Sequence, residues 1–295
     1  MLLWTQNPKF AYRKYLILNM TKLRNIKVVV SDLDGTLLNP QHKISDYTKS
    51  IFQELHNQNY LIVVATGRHH LDAMAIIETL EVPVYLVSSN GARIHSPSKE
   101  ELFSFNLDSD VVKNALNVEI DPEITVVLFK ENVWQTNKIN EKLNAFQAEL
   151  KYRPELVDYN TLEDFGAIKI FFACDDHEKL VKLKDAILAN SSDQLHHAFS
   201  LPTCLEFMDK AIDKAIAIEK VLEKEGFTLE EAVSFGDGFN DVQMLSASGK
   251  GLIMGNAPAV LKETLPNLEV IKTNAEDGVA KYISSKILNK EFVAG

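Results

Sequence analysis

Asp32 and Asp34 stand in the segment Asp32-Leu33-Asp34-Gly35-Thr36, one residue after the apolar run Val28-Val29-Val30. A β-branched run of this kind reads as a buried strand, and Gly35 supplies the turn that ends it. In open α/β sheets, ligands bind beyond the C-terminal ends of the strands, which is where both acids fall. Side chains alternate along extended backbone, so Asp32 and Asp34 are expected on one side with Leu33 between them. Two acids held so close repel each other and call for a cation or a shared proton. Taken alone, the segment also reads as an ordinary solvated turn, since Asp and Gly are common turn formers.

Three later segments add to it. Thr66-Gly67-Arg68 follows the apolar run 61–65, Lys214 opens a helical stretch, and Gly236-Asp237-Gly238-Phe239-Asn240-Asp241 follows a short strand over 232–235. A hydroxyl and a glycine at a helix start can grip phosphate through backbone N–H groups and the positive end of the helix dipole. A lysine offers a compact cation to the same anion. Several carboxylates nearby make an oxygen-rich site suited to Mg²⁺. Each piece has a plain reading as a helix cap, a solvated lysine or a tight turn. In this order, each at a strand end or helix start, they point instead to phosphate chemistry on a metal.

The elements that must position these groups follow from periodicity. Strands over 27–31, 61–65 and 84–88 alternate with helices over 45–58 and 69–80, Ser45 serving as an N-cap. Such alternation implies βαβ units and a parallel sheet. After Gly91 hairpins and helices mix, with strands over 102–106, 124–130, 133–136, 167–173, 195–201 and 204–208, and helices over 110–118, 140–150 and 177–190. From Lys214 the strand–helix alternation resumes. The expected fold is therefore α/β, a doubly wound parallel-sheet core of residues 24–91 and 202–295 interrupted by an α+β cap over 92–201. Residues 1–23, free of acidic side chains, are expected to form a flexible N-terminal extension.

Composition narrows the partners. The 295 residues carry 31 basic against 41 acidic side chains, a net charge of -10, which disfavours nucleic acid. No apolar stretch approaches the roughly 18 residues needed to span a bilayer. Cys174 and Cys204 lack metal-ligand spacing and read as small buried apolar residues of a reducing, cytoplasmic compartment. The aromatics Phe129, Trp134, Phe171 and Phe172 read as cap core before substrate contacts. His69, His70 and Asn90 read either as substrate contacts or as caps of a helix and a turn. Oligomeric state is not legible.

With these motifs, the chain resembles the haloacid dehalogenase superfamily phosphatases of the Cof type over nearly all of residues 24–290. Asp32 to Thr36 match the first motif of that family, Thr66-Gly67 the second, Lys214 the third and Gly236 to Asp241 the fourth. Ser89-Asn90-Gly91-Ala92 and Met254-Gly255-Asn256-Ala257 resemble further signature loops. The third match is looser, with Asp213 and Ala215 flanking the lysine. Only 29 residues separate Thr36 from Thr66, so the insertion lies later, as in members with the large α/β cap. The resemblance implies a Mg²⁺-dependent phosphatase acting on a small phosphomonoester, with pyridoxal phosphate or sugar phosphates as the substrates closest in look. It implies Asp32 as nucleophile and Asp34 as general acid and base. Leu33, Thr66, Gly67, Lys214 and Asn240 would hold the phosphoryl oxygens, and Asp32, Asp34 (through its main-chain carbonyl), Asp237 and Asp241 the metal. A phosphomutase and a non-catalytic phosphate-binding protein are the alternatives.

Overall fold

The computed structural model describes residues 25–139, 154–191 and 194–289. The expected N-terminal extension over 1–23 and the helix over 140–150 lie outside them. The chain divides into two units, one comprising residues up to Ala65, Ile76–Tyr85 and those from Ile218 on, the other Thr66–Ala75 with Leu86–Ala217.

In the first unit five strands form a wholly parallel sheet. Their order is Glu269–Val270, Lys250–Ile253, Ala232–Gly236, Val28–Ser31 and Leu61–Ala65. Val28–Ser31 and Ala232–Gly236 are buried at every position, as expected of strands covered on both faces. From Val28–Ser31 the chain's next strand lies on one side and Ala232–Gly236 on the other, so strand order reverses there. Ligands of open α/β sheets bind outside the strand ends at such a reversal, and Asp32 and Asp237 stand there. The helix Asp46–Asn57 starts as expected at Ser45, whose Oγ accepts the Thr48 N–H at 3.0 Å. The α/β class read from the sequence is the fold observed.

The second unit holds a six-stranded sheet in the order Leu195–Leu201, Cys204–Asp209, Lys169–Ala173, Thr125–Phe129, Trp134–Thr136 and Glu155–Leu156. All its pairings are antiparallel except the last. Helices Ser109–Leu116 and His177–Ser191 contribute Val112, Ala115, Leu180, Leu183 and Ile187 to one apolar cluster with Leu128, Ile170, Phe172 and Phe207. Phe129, Trp134 and Phe172 are core, as read, and Phe171 is partly buried against them. Two strands were not foreseen: Arg93–His95, which pairs antiparallel with Leu86–Ser88, and the two-residue Glu155–Leu156. Cys174 is buried as expected, but Cys204 is only partly so, because it lies at a strand end beside the Leu201 turn. Both cysteines are free, and no helix among the described residues is long and apolar enough to cross a membrane.

Phe172 is fully buried and meets Phe207 edge-on, ring centroids 6.0 Å apart. Phe172→Ala is expected to lower unfolding free energy by about 3–5 kcal/mol in urea titrations. A loss of about 0.5 kcal/mol, the size of a surface change, would show that this contact is not core.

Candidate active site

Asp32, Asp237 and Asp241 each offer a carboxylate oxygen within 4.8 Å of the other two. Asp32 follows the strand Val28–Ser31, and its N–H donates to the Phe235 carbonyl at 2.9 Å, joining it to the neighbouring strand end. Asp241 Oδ2 accepts the N–H groups of Asp237 and Gly238 at 3.0 and 2.9 Å, so this acid folds the turn that carries its partner. Thr36 Oγ1 donates to Asp237 Oδ1 at 2.9 Å. Asn256 Nδ2 donates to the Gly35 carbonyl at 2.8 Å and reaches Asp237 Oδ2 at 3.4 Å.

Two glycines permit this approach. Gly35 has φ +73°, and a Cβ there would collide with the Asp237 carboxylate. A Cβ on Gly236 would stand 2.6 Å from the Asp241 Cβ. Asp32 and Asp241 are 5% and 0% exposed. Three like charges at this spacing oppose one another by roughly 3 kcal/mol per pair, at an effective dielectric constant of about 20. The donor set is all oxygen and anionic, which fits a hard divalent cation such as Mg²⁺ and does not fit a soft one.

The Asp34 carboxylate is not in this triad. It is 43% exposed and lies 4.0 Å from His42 Nδ1, because Asp34 and Gly35 leave helical geometry within the turn. Leu33 is buried beneath the turn and Asn240 is half-buried beside Asp241.

Thr66, Gly67 and Lys214 belong to the second unit. Thr66 is fully buried, and its Oγ1 accepts the Arg68 N–H at 3.1 Å. The Asn90 N–H donates to the Thr66 carbonyl at 3.0 Å and the Ser89 N–H to the Arg68 carbonyl at 2.8 Å. Asn90 Oδ1 lies 3.2 Å from where a Gly67 Cβ would sit. Ser89, Asn90 and Gly91 all have positive φ, at 49°, 55° and 108°. Such strain persists only where the surroundings over-determine it. A Cβ on Gly91 would meet the Asp213 carbonyl, so the start of the Lys214–Glu225 helix is pressed against this loop. Asp213, the departure noted beside Lys214, accepts the Ile216 N–H at 2.9 Å and so caps that helix. Lys214 itself is 1% exposed. The structure therefore brings Thr66, Gly67 and the start of the helix that Lys214 opens to the Asn90 turn.

Sequence reading passed over Asn256 and Thr36 as carboxylate holders, though both lie in quoted motifs. It also passed over Lys169 and Glu206, each a charge set between apolar neighbours in a strand. Lys169 Nζ lies 2.8 Å from Glu206 Oε2 and donates to the Gly67 carbonyl at 3.1 Å.

His69 bridges two backbone groups. His69 Nδ1 accepts the Leu71 N–H at 3.3 Å, which leaves Nε2 as the protonated nitrogen donating to the Lys130 carbonyl at 3.0 Å. Burial, with the charge of neighbouring His70, drops its pKa to about 3. Burial likewise lowers His70 and His95, whose rings stack 4.9 Å apart.

Residues 29–283 match the family model described as haloacid dehalogenase-like hydrolase. A protein of Buchnera aphidicola subsp. Baizongia pistaciae is 36% identical over 264 residues, covering 89% of this chain and 99% of that one. The HMP-PP phosphatase of Cronobacter sakazakii is 34% identical over 253 residues, covering 86% and 93%. The crystal structure of a haloacid dehalogenase-like hydrolase from Bacteroides thetaiotaomicron superposes with a TM-score of 0.74 at 27% identity, covering 88% and 98%.

The lowered histidines make the fold acid-labile. Below its ordinary pKa near 6.5 the unfolded chain binds a proton on His69 that the folded chain refuses, so stability falls as pH falls toward about 3. The slope from His69 alone is about 1.4 kcal/mol per pH unit. Urea midpoints at pH 7, 5.5 and 4.5 should fall more steeply for the wild type than for His69→Gln. Parallel curves would remove His69 from the acid response.

Proposed function

The chain belongs to the haloacid dehalogenase-like hydrolases and is a phosphatase, a phosphoric monoester hydrolase; on that premise we propose that it hydrolyses small phosphomonoesters with Mg²⁺ through an aspartyl-phosphate on Asp32. The carrying observation is the Asp32–Asp237–Asp241 triad, Asp32 and Asp241 buried and Asp237 partly so, at two adjacent parallel strand ends. Asp32, Asp237 and the Asp34 main-chain carbonyl would hold Mg²⁺, with Asp241 behind them. When bound, the ion offsets repulsion between the anionic nucleophile and the anionic ester.

The Asp32 carboxylate attacks phosphorus in line, forming an acyl phosphate as the bond to the ester oxygen breaks. Asp34 gives its proton to that leaving oxygen. It then takes a proton from the water that attacks the same phosphorus, releasing phosphate and restoring Asp32. The exposure of the Asp34 carboxylate supports this role, since a group that trades protons with leaving group and water must be reachable. General acid–base help of this kind contributes about 10²–10⁴-fold. Leu33 and Gly67 through their N–H groups, Thr66, Lys214 and Asn240 hold the phosphoryl oxygens, which is most of what phosphoryl transfer requires.

The leaving-group specificity is assigned to the α+β cap over 92–201. Pyridoxal phosphate and sugar phosphates head the substrate panel, joined by HMP-PP because of the similar phosphatase of that name. A cytoplasmic setting is part of the same reading, resting on the free thiols of Cys174 and Cys204.

Phosphate release from this panel is expected to need Mg²⁺ and to stop on chelation. Asp32→Asn should abolish turnover while leaving the fold intact, the melting temperature not lowered; retained hydrolysis would remove Asp32 as nucleophile. Lys214→Ala should lower kcat/KM by about 10²–10³-fold, the cost of losing one charge-stabilising donor. Transfer of phosphate to a second substrate without release of free phosphate would make the enzyme a mutase.

A further inference from the structure

A buried ion pair that the proposed reaction does not use reaches the Thr66 loop. Lys169 and Glu206 are 4% and 5% exposed and sit on neighbouring antiparallel strands, Lys169–Ala173 and Cys204–Asp209. Nζ of Lys169 is 2.8 Å from Glu206 Oε2 and 4.7 Å from the centre of the Phe129 ring. Asn90 Nδ2 donates to the same Glu206 oxygen at 3.4 Å. Burying two charges costs desolvation that their attraction often only matches, so the pair is not explained by stability alone. Nor is it needed to join the strands, which are already held by their backbone ladder.

Lys169 also donates to the Gly67 carbonyl oxygen at 3.1 Å. That oxygen and the Arg68 N–H are the two ends of one planar peptide unit. The Arg68 N–H donates to Thr66 Oγ1 at 3.1 Å. The Gly67–Arg68 plane is thus fixed from both sides, by an ammonium on its carbonyl and by the Thr66 hydroxyl on its N–H. A threonine hydroxyl has one proton and two lone pairs. With a lone pair taken by the Arg68 N–H, the hydroxyl proton is left for a different acceptor.

We propose that Lys169 is a positioning residue for catalysis: it locks the Gly67–Arg68 peptide plane so that Thr66 accepts from Arg68 and aims its own proton at a phosphoryl oxygen. Glu206 holds the Lys169 ammonium in place, and Asn90 ties Glu206 to the strained turn that supports the same loop. A carbonyl bonded to an ammonium is also a stronger dipole, which strengthens the hydrogen bond at the far end of its peptide. The inference rests on the assignment of Thr66 as a phosphate-holding residue.

The test is a double-mutant cycle on kcat and KM with p-nitrophenyl phosphate, melting temperature measured alongside. Lys169 and Glu206 are replaced together, as Lys169→Met with Glu206→Met, so that no buried charge is left alone. Thr66→Val should lower kcat about 10²–10³-fold. The paired replacement should lower kcat by about 10–100-fold, as a misaligned group does, with KM little changed. Combining it with Thr66→Val should cost nothing beyond Thr66→Val alone, because Lys169 acts only through that hydroxyl. Additive losses, or a paired variant with wild-type kcat beside an impaired Thr66→Val, would overturn the positioning role. Wild-type kinetics in Thr66→Val would instead overturn the phosphate-holding assignment, and the inference with it. If the paired variant does not fold, Lys169→Met with Glu206→Gln, which also leaves no buried charge alone, reads the same coupling: a loss that disappears in the Thr66→Val background supports the role, and an additive one overturns it.

Discussion

The chain must hold Asp32, Asp237 and Asp241 together against their own repulsion, and the rest of the first unit is organised around that constraint. The acids follow two parallel strands that are neighbours because strand order reverses at Val28–Ser31. Two of the acids are held by neutral donors, Asp241 by two N–H groups and Asp237 by Thr36 and Asn256. None of these donors neutralises charge. They fix direction without themselves adding positive charge, so a cation still gains from the anionic oxygens gathered there. The backbone yields to the same demand, since neither Gly35 nor Gly236 has room for a side chain beside the acids.

The second unit solves a different problem with the same means. Its polar loop carries a hydroxyl and backbone groups that must be aimed and not merely present. Aiming a backbone requires contacts on both ends of a peptide, and a buried lysine is one of few groups that can hold a carbonyl without competing for the N–H. The three left-handed residues Ser89, Asn90 and Gly91 bring the loop and the capped start of the Lys214 helix into one place. Local energy is given up there and recovered from the packed sheet beneath, where Phe172, Phe207, Leu128 and Ile170 are fully buried.

The sequence was most legible where function and backbone geometry coincide. Val28–Ser31 and Leu61–Ala65 are apolar runs that end in polar motifs, so both the strand and its working end show in one segment. The triad was legible for the same reason. Arg93–His95 was not, because an arginine and a histidine at the ends of a three-residue strand look like surface. Arg93 is in fact 1% exposed, its guanidinium satisfied by Glu131, Asn106 and the carbonyls of Ala92 and Phe105. A buried charge is recognised by its partners, and those lie up to 38 residues away. Lys169 and Glu206 escaped for the same cause: each is a charge inside an apolar strand, and only the fold shows that they face each other.

What a motif specifies is therefore the group that meets the substrate, while the groups that aim it are specified by topology. Thr66 and Gly67 announce a phosphate grip in two letters. The carbonyl that orients them is bonded to a residue 102 positions further along the chain. A substitution at Lys169 or Glu206 leaves every family motif intact, and so would pass unnoticed in a reading of motifs alone. Relatives with the same motifs need not share these two side chains, and the precision with which a retained hydroxyl is aimed can then differ among them. In a reaction that depends on positioning more than on unusual chemical groups, such differences act directly on rate.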